Sequence, residues 1–327
     1  MIQIEKIDYR SWRNAYRLTN GIVDVIVLAD VGPRVVHYGL CGSENQFHEL
    51  SDQFGLRGGD EFRLYGGHRL WVWPETERTY FPDNQLVEVH TSPGGATFTA
   101  PVEAAAPGTS LQKKITIQLD ESGTRVRLCH TVSNCGTQPT ELAVWTPTVL
   151  RGGGCAILPF PPRAAMDKDH FQSVAPLALW SFTDFTDRRW VLGKDFLQLS
   201  HDDKPAGRFP EQMGGLFTPD GWGAYVRTGF VFLKRSAVLQ EVRYPDFGCN
   251  FEVFTNPEFL ELETLSPVVN LDSGEEVHHT ERWWLFGGVE FNGTEASIHS
   301  AILPCVERTR EQSGGCGTAW ISPQSKK

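Results

Sequence analysis

The sequence predicts one large all-β domain, built from antiparallel sheets arranged as a sandwich or as several stacked layers. Three observations carry this. β-branched and aromatic runs recur in pairs around turn residues. No long stretch repeats its apolar residues with the 3.6-residue period of a helix. No segment recurs at the fixed period of a propeller or solenoid, because the Gly-Gly steps at 66, 152, 214 and 287 have unlike flanks.

Ala15–Leu18 runs into the turn Asn20-Gly21 and continues as Ile22–Leu28, a hairpin signal, and Gly32-Pro33 breaks the chain before a further strand to Tyr38. Residues 41–84 carry many Gly, Pro and aromatic residues with little periodicity and read as a long ordered loop; such loops are usually functional. Strands return at 85–90 and 96–100 around Ser92-Pro93-Gly94-Gly95, and at 111–119 and 124–132 around Asp120–Gly123. Thr140–Val149 is a further strand, followed by a loop over 151–163 with one short strand. In 164–222, Trp180, Phe182, Trp190 and Phe196 mark short strands. The pattern clears over 223–238, 244–267 and 275–286, and beyond about Glu290 it is irregular. We expect a single domain over 1–311 and a C-terminal tail over 312–327.

The 327 residues are 40% apolar and 21% charged, as in a globular protein, and the net charge of −10 argues against nucleic acid or an anionic membrane as partner. The N-terminus has no signal-peptide apolar region and no run reaches the roughly 18–20 apolar residues of a membrane helix, so a cytoplasmic protein is expected. Seven Cys without a CxxC pair suggest reduced thiols rather than disulfides or zinc. Ten Trp and twenty Phe suit both a β core and stacking platforms for sugar rings.

Chemistry concentrates in residues 244–267. Phe259–Thr264 alternates, so Leu260 and Leu262 share one face of a strand, and Glu261 and Glu263 the other. Two such carboxylates form either a solvated strip or part of a site, since crowded like charges push their pKa values apart. A glycosidase pair would have to be opposed across the sugar, whereas these two stand side by side. Gly66–Trp71 places His68, Arg69 and Trp71 within four positions: an acid, a forked donor for hydroxyls, and a flat apolar ring. His279, Glu281 and Trp283 share a strand face, but one strand supplies too few ligands for a metal, and neither metal nor cofactor is expected. Lys234 and Glu252 are charges inside apolar strands, expected either to pair or to face a groove. No phosphate loop, dinucleotide fingerprint or nucleophile elbow is present.

Val31–Arg34, Gly66–Trp71, Glu261–Pro267, Ser273–Glu275 and His279–Trp283 together resemble the galactose mutarotase-like superfamily, within it an aldose-epimerase-like bacterial family, over roughly residues 10–290. The resemblance implies an antiparallel β-supersandwich with a concave groove for a monosaccharide or sugar chain. It also implies cofactor-free interconversion of anomers, in which a carboxylate takes the anomeric hydroxyl proton and a His protonates the ring oxygen. The family's Leu-Glu-Thr run falls on Leu262–Thr264, which makes Glu263 the expected base. The strand that should carry the acid His, Leu142–Thr148, has none, and His68 is the expected replacement. Arg34, Arg69, Trp71, Glu261, Trp145, Lys234, Glu252 and His279 are the expected sugar-contacting residues. A carbohydrate-binding protein without catalysis is the alternative, and an interaction domain with a self-filled groove the third reading.

Overall fold

Twelve strands in one sheet and eleven in a second, among the described residues, lie face to face. The structure, a computed structural model, describes residues 1–106 and 108–310, so the expected tail at 312–327 lies outside the described residues. The first sheet runs from Gln3–Tyr9 through Trp12–Thr19, Val23–Leu28 and Arg34–Leu40 to Thr140–Arg151 at its middle. It continues through Phe259–Leu265, Phe251–Thr255 and Gln212–Leu216 to Leu177–Leu179. The second sheet centres on Phe230–Ser236, Glu276–Gly287, Val126–Asn134 and Thr109–Leu119. The pairings are antiparallel, and the hairpins read from turn chemistry form, Ala15 facing Leu28 and Leu119 facing Val126.

Alternation explains the packing. Inward-facing Val25, Val27, Ile115, Ile117, Leu260 and Leu262 fill the space between the sheets, together with Phe47, Phe232 and Trp283. Burying each such side chain stabilises the fold by about 1.5–3 kcal/mol before the entropy of ordering is set against it. Three regions differ from the sequence reading. Residues 41–84 are not wholly loop, since Gly67–His68 and Trp71–Trp73 pair with Thr140–Arg151 as two short strands. The break between them lies opposite Pro147, which has no N–H to give; its carbonyl accepts the Arg69 N–H instead. Gln3–Tyr9 adds an edge strand whose charged, half-exposed pattern hid it, since edge strands favour such residues.

The third is the C-terminal segment 295–310, which is helical rather than irregular. Thr294 caps it through its hydroxyl, which accepts the Ser297 N–H, and Ile298, Ile302 and Val306 bury one stripe against Trp222 and Leu233 on the outer face of the second sheet.

Gly67 anchors the middle of the first sheet. Its φ is +70°, and a Cβ there would stand 2.2 Å from the Val35 carbonyl oxygen. Gly67→Ala should therefore lower the unfolding free energy by roughly 2–4 kcal/mol. Urea denaturation measures this, and a loss under about 1 kcal/mol would contradict the packing described.

Candidate functional site

The alternation of Phe259–Leu265 holds, but the strand is buried on both sides. Leu260, Leu262 and Thr264 face the second sheet, while Glu261 and Glu263 face outward beneath a layer of aromatic side chains. A solvated strip is excluded, since Glu263 is only 1% exposed. Glu263 stands directly across the strand pair from Glu252. Opposed residues of this kind have Cβ atoms about 4.5–5.5 Å apart. The Trp145 indole N–H donates to Glu263 Oε2. Burial, reinforced by Glu261, raises Glu263 well above the usual carboxyl range; burial, reinforced by Glu263 and Asp246, does the same to Glu252. In so dry a place each of two opposed carboxyls strengthens the other's hold on a proton.

A cavity of about 280 Å³ opens over this pair. Trp73, Trp145, Trp180 and Met213 form its apolar side, and Glu75, Asp246 and Glu252 its polar side. Asp246 is oriented by the Trp73 indole, which donates to its Oδ1 at 3.2 Å. Asp246 and Phe247 both have positive φ, 48° and 66°, a conformation costing non-glycine residues about 1–3 kcal/mol each and found mainly where function holds it. Of the expected site residues, Trp145 and Glu252 line this cavity and Glu263 lies against it through Trp145.

The other expected residues are placed elsewhere. His68, expected as the acid, points between the sheets, because Thr148, its partner on the neighbouring strand, also faces inward. His68 Nδ1 lies 2.9 Å from Thr148 Oγ1, and its Nε2 lies 2.7 Å from His130 Nε2. His130 Nδ1 donates to the His279 carbonyl at 3.1 Å, so its Nε2 accepts, and His68 must donate to it. Lys234, expected to pair with Glu252 or face the groove, instead meets Glu281 at 3.0 Å and donates to the carbonyls of Thr146 and Leu262. Glu281 also accepts from Thr146, Thr264 and Trp283, and His279 lies 2.6 Å from Thr264 Oγ1. Burial alone would raise Glu281, but Lys234 and the surrounding imidazoles hold it well below the carboxylate range. Burial lowers His68 well below its ordinary value, His130 to about 4 and His279 to about 3, so all three rings are neutral. His68, His130 and Glu281 converge closely enough to hold a metal ion, yet the Lys234 ammonium already supplies the positive charge that Glu281 requires.

Arg34 and Arg69, expected to touch sugar, are 0% and 1% exposed. Arg34 pairs with Asp83 and donates to the Leu64 carbonyl, its guanidinium 4.9 Å from the Tyr65 ring centre. Arg69 lies against Trp71 and Phe62, and burial beside Arg34 lowers it to about 9. Trp71 packs on Trp145 with ring centres 5.0 Å apart, and neither Trp71 nor Arg69 lines the cavity. Burial raises Glu261 to about 7 despite the pull of Arg69. Sequence reasoning missed Trp73, Glu75, Trp180, Met213 and Asp246. Trp73 and Glu75 directly follow the Gly66–Trp71 motif, and that adjacency was the available signal.

The raised carboxyls carry a stability cost with a definite sign. Glu252 holds its proton more tightly folded than unfolded, so the fold loses stability as pH rises above the ordinary value of 4.5 toward the folded value. Glu252→Gln should therefore stabilise the protein by about 0.5–2 kcal/mol at pH 8, with the gain fading toward pH 4. Urea unfolding at the two pH values checks this; a pH-independent effect would contradict it.

No protein-family model and no curated protein sequence matches the chain. Solved structures do match it. A galactose mutarotase-like protein from Lactobacillus casei shares 11% identity, with 84% of this chain and 100% of that chain covered and a TM-score of 0.55. A galactose mutarotase related enzyme from Lactobacillus acidophilus shares 9% identity over 84% and 98%, with a TM-score of 0.54. A candidate aldose 1-epimerase from Klebsiella pneumoniae shares 10% identity over 94% and 87%, also at 0.54. At such identities the likeness establishes the fold: the chain is an all-β, galactose mutarotase-like supersandwich.

Proposed function

We propose that this sandwich binds a monosaccharide, or the end of a sugar chain, in the cavity over Glu252 and interconverts its anomers by acid–base catalysis. The observation that carries the reading is the opposed pair Glu252–Glu263 beneath an indole-walled cavity of about 280 Å³. Ring opening needs one group to take the anomeric hydroxyl proton and another to protonate the ring oxygen. A carboxyl pair sharing one proton supplies both forms at once. Glu263 is the base, oriented by the Trp145 N–H, and Glu252, on the cavity wall, is the acid in the role first expected of His68. The relatives named as mutarotase or aldose epimerase proteins support the same class of substrate.

Binding without catalysis is the second reading, favoured by the near-complete cover of Glu263. Polarimetry on freshly dissolved α-sugars separates the two. The enzyme reading expects protein-dependent acceleration across part of a hexose and pentose panel. Calorimetric binding with no acceleration would leave only the binding reading, and no binding at all would remove both.

A further inference from the structure

The cavity's charge points to a substrate class narrower than sugars in general. Among the described residues its lining includes three carboxyls and no Lys, Arg or His. Glu252 is 1% exposed, and its Oε1 has no hydrogen-bond partner. A buried acceptor left open in this way costs about 1–3 kcal/mol unless a donor arrives. Asp246 comes against the same carboxyl from a loop held in the left-handed region, and Glu75 adds a third carboxyl group. The buried Arg69 guanidinium is packed on Trp71 and is not part of the lining. A phosphorylated or acidic sugar would thus meet uncompensated repulsion. A cation would meet the opposite: carboxyl acceptors in a dry site together with indole walls, the two features that recognise ammonium groups.

Resting on the sugar reading above, we propose that the preferred ligand is an amino sugar with a free ammonium group, held by Glu252 and Asp246 among Trp73, Trp145 and Trp180. Burial and the crowding of like charges keep Glu252 neutral in the empty cavity. An arriving ammonium donates to the open Oε1 of Glu252 and offsets the crowding of like charges around it.

Isothermal titration calorimetry at pH 7.5 tests this with glucosamine, galactosamine and mannosamine, each against its neutral parent hexose and its N-acetyl derivative. At least one hexosamine should bind roughly tenfold or more tighter than both of its uncharged counterparts. Glu252→Gln and Asp246→Asn, tested separately, should each cut that ratio to about threefold or less. Parent sugars or glucuronate binding as tightly as the hexosamines, or a preference unchanged in both variants, overturns this inference and leaves the sugar reading intact. Cyclohexylamine binding as well as the best hexosamine would overturn both, since the site would then select an amine and not a sugar. Failure of every sugar to bind would also overturn both.

Discussion

Replacing Lys234 by methionine should lower the unfolding free energy by about 3–5 kcal/mol at pH 7. The ammonium is wholly buried between the sheets, where it meets Glu281 at 3.0 Å and two strand carbonyls at 3.0 and 3.1 Å. Methionine fills most of the volume, so the loss is electrostatic: Glu281 is left as a buried carboxylate with hydroxyl and indole donors but no counter-charge. The pH dependence follows from the same residue. In the wild type Glu281 sits below its ordinary value of 4.5, so its contribution is present above that value and lost as pH falls through the folded value. Without Lys234 the carboxyl takes up a proton more readily, and the variant's deficit should shrink toward acid pH. The double variant Lys234→Met, Glu281→Gln should lose less than the sum of the single changes, by about 0.5–3 kcal/mol. Strict additivity in urea unfolding would show that the pair does not act as a unit.

The second large effect is on rate. Glu263→Gln should slow protein-catalysed mutarotation by about 10²–10⁴-fold while sugar still binds, because the amide keeps the shape and cannot accept the anomeric proton. The Trp145 N–H can still donate to the amide oxygen, so the floor of the cavity is preserved. The pH profile should also change. A catalytic pair titrating as a coupled dyad should give an optimum bounded by two apparent values, and removing one carboxyl should leave a single limb. A variant within threefold of wild type would assign the base elsewhere, Asp246 being next in line on the cavity wall.

The fold was largely legible in the sequence because turn chemistry and period-two alternation act locally. Asn20-Gly21 and Asp120–Gly123 mark hairpins whichever strands they later join. The C-terminal helix was harder to see: its apolar stripe, Ile298, Ile302 and Val306, is only three residues and passes through a wider turn over Ile298–Ile302. For the site, the sequence pointed to the outward face of Phe259–Leu265, and the structure brings Glu252, Glu263 and Trp145 together there. It could not assign His68 and Lys234 to a side. On a strand of two residues no alternation exists to be read, and a charge within an apolar strand looks the same whether it faces a groove or a buried partner. Arg34 and Arg69 were misplaced for a related reason: guanidinium donors suit sugar hydroxyls and loop carbonyls equally, and here they take the Leu64 carbonyl.

The polar seam between the sheets bears on how they find their alignment. Apolar packing tolerates sliding, since one methyl group serves nearly as well as another. Lys234, Glu281, His68, His130, Thr146 and Thr264 do not share that tolerance, because each reaches named partners across the interface: Lys234 the Thr146 and Leu262 carbonyls, Glu281 the Thr146 and Thr264 hydroxyls, and His68 the His130 ring. A slip of one pleat, about 6.6–6.8 Å, would preserve the greasy contacts in kind while leaving the seam's hydroxyls and imidazoles unmatched in a dry interior. The seam therefore works as a key in a keyway, admitting a single setting of one sheet on the other.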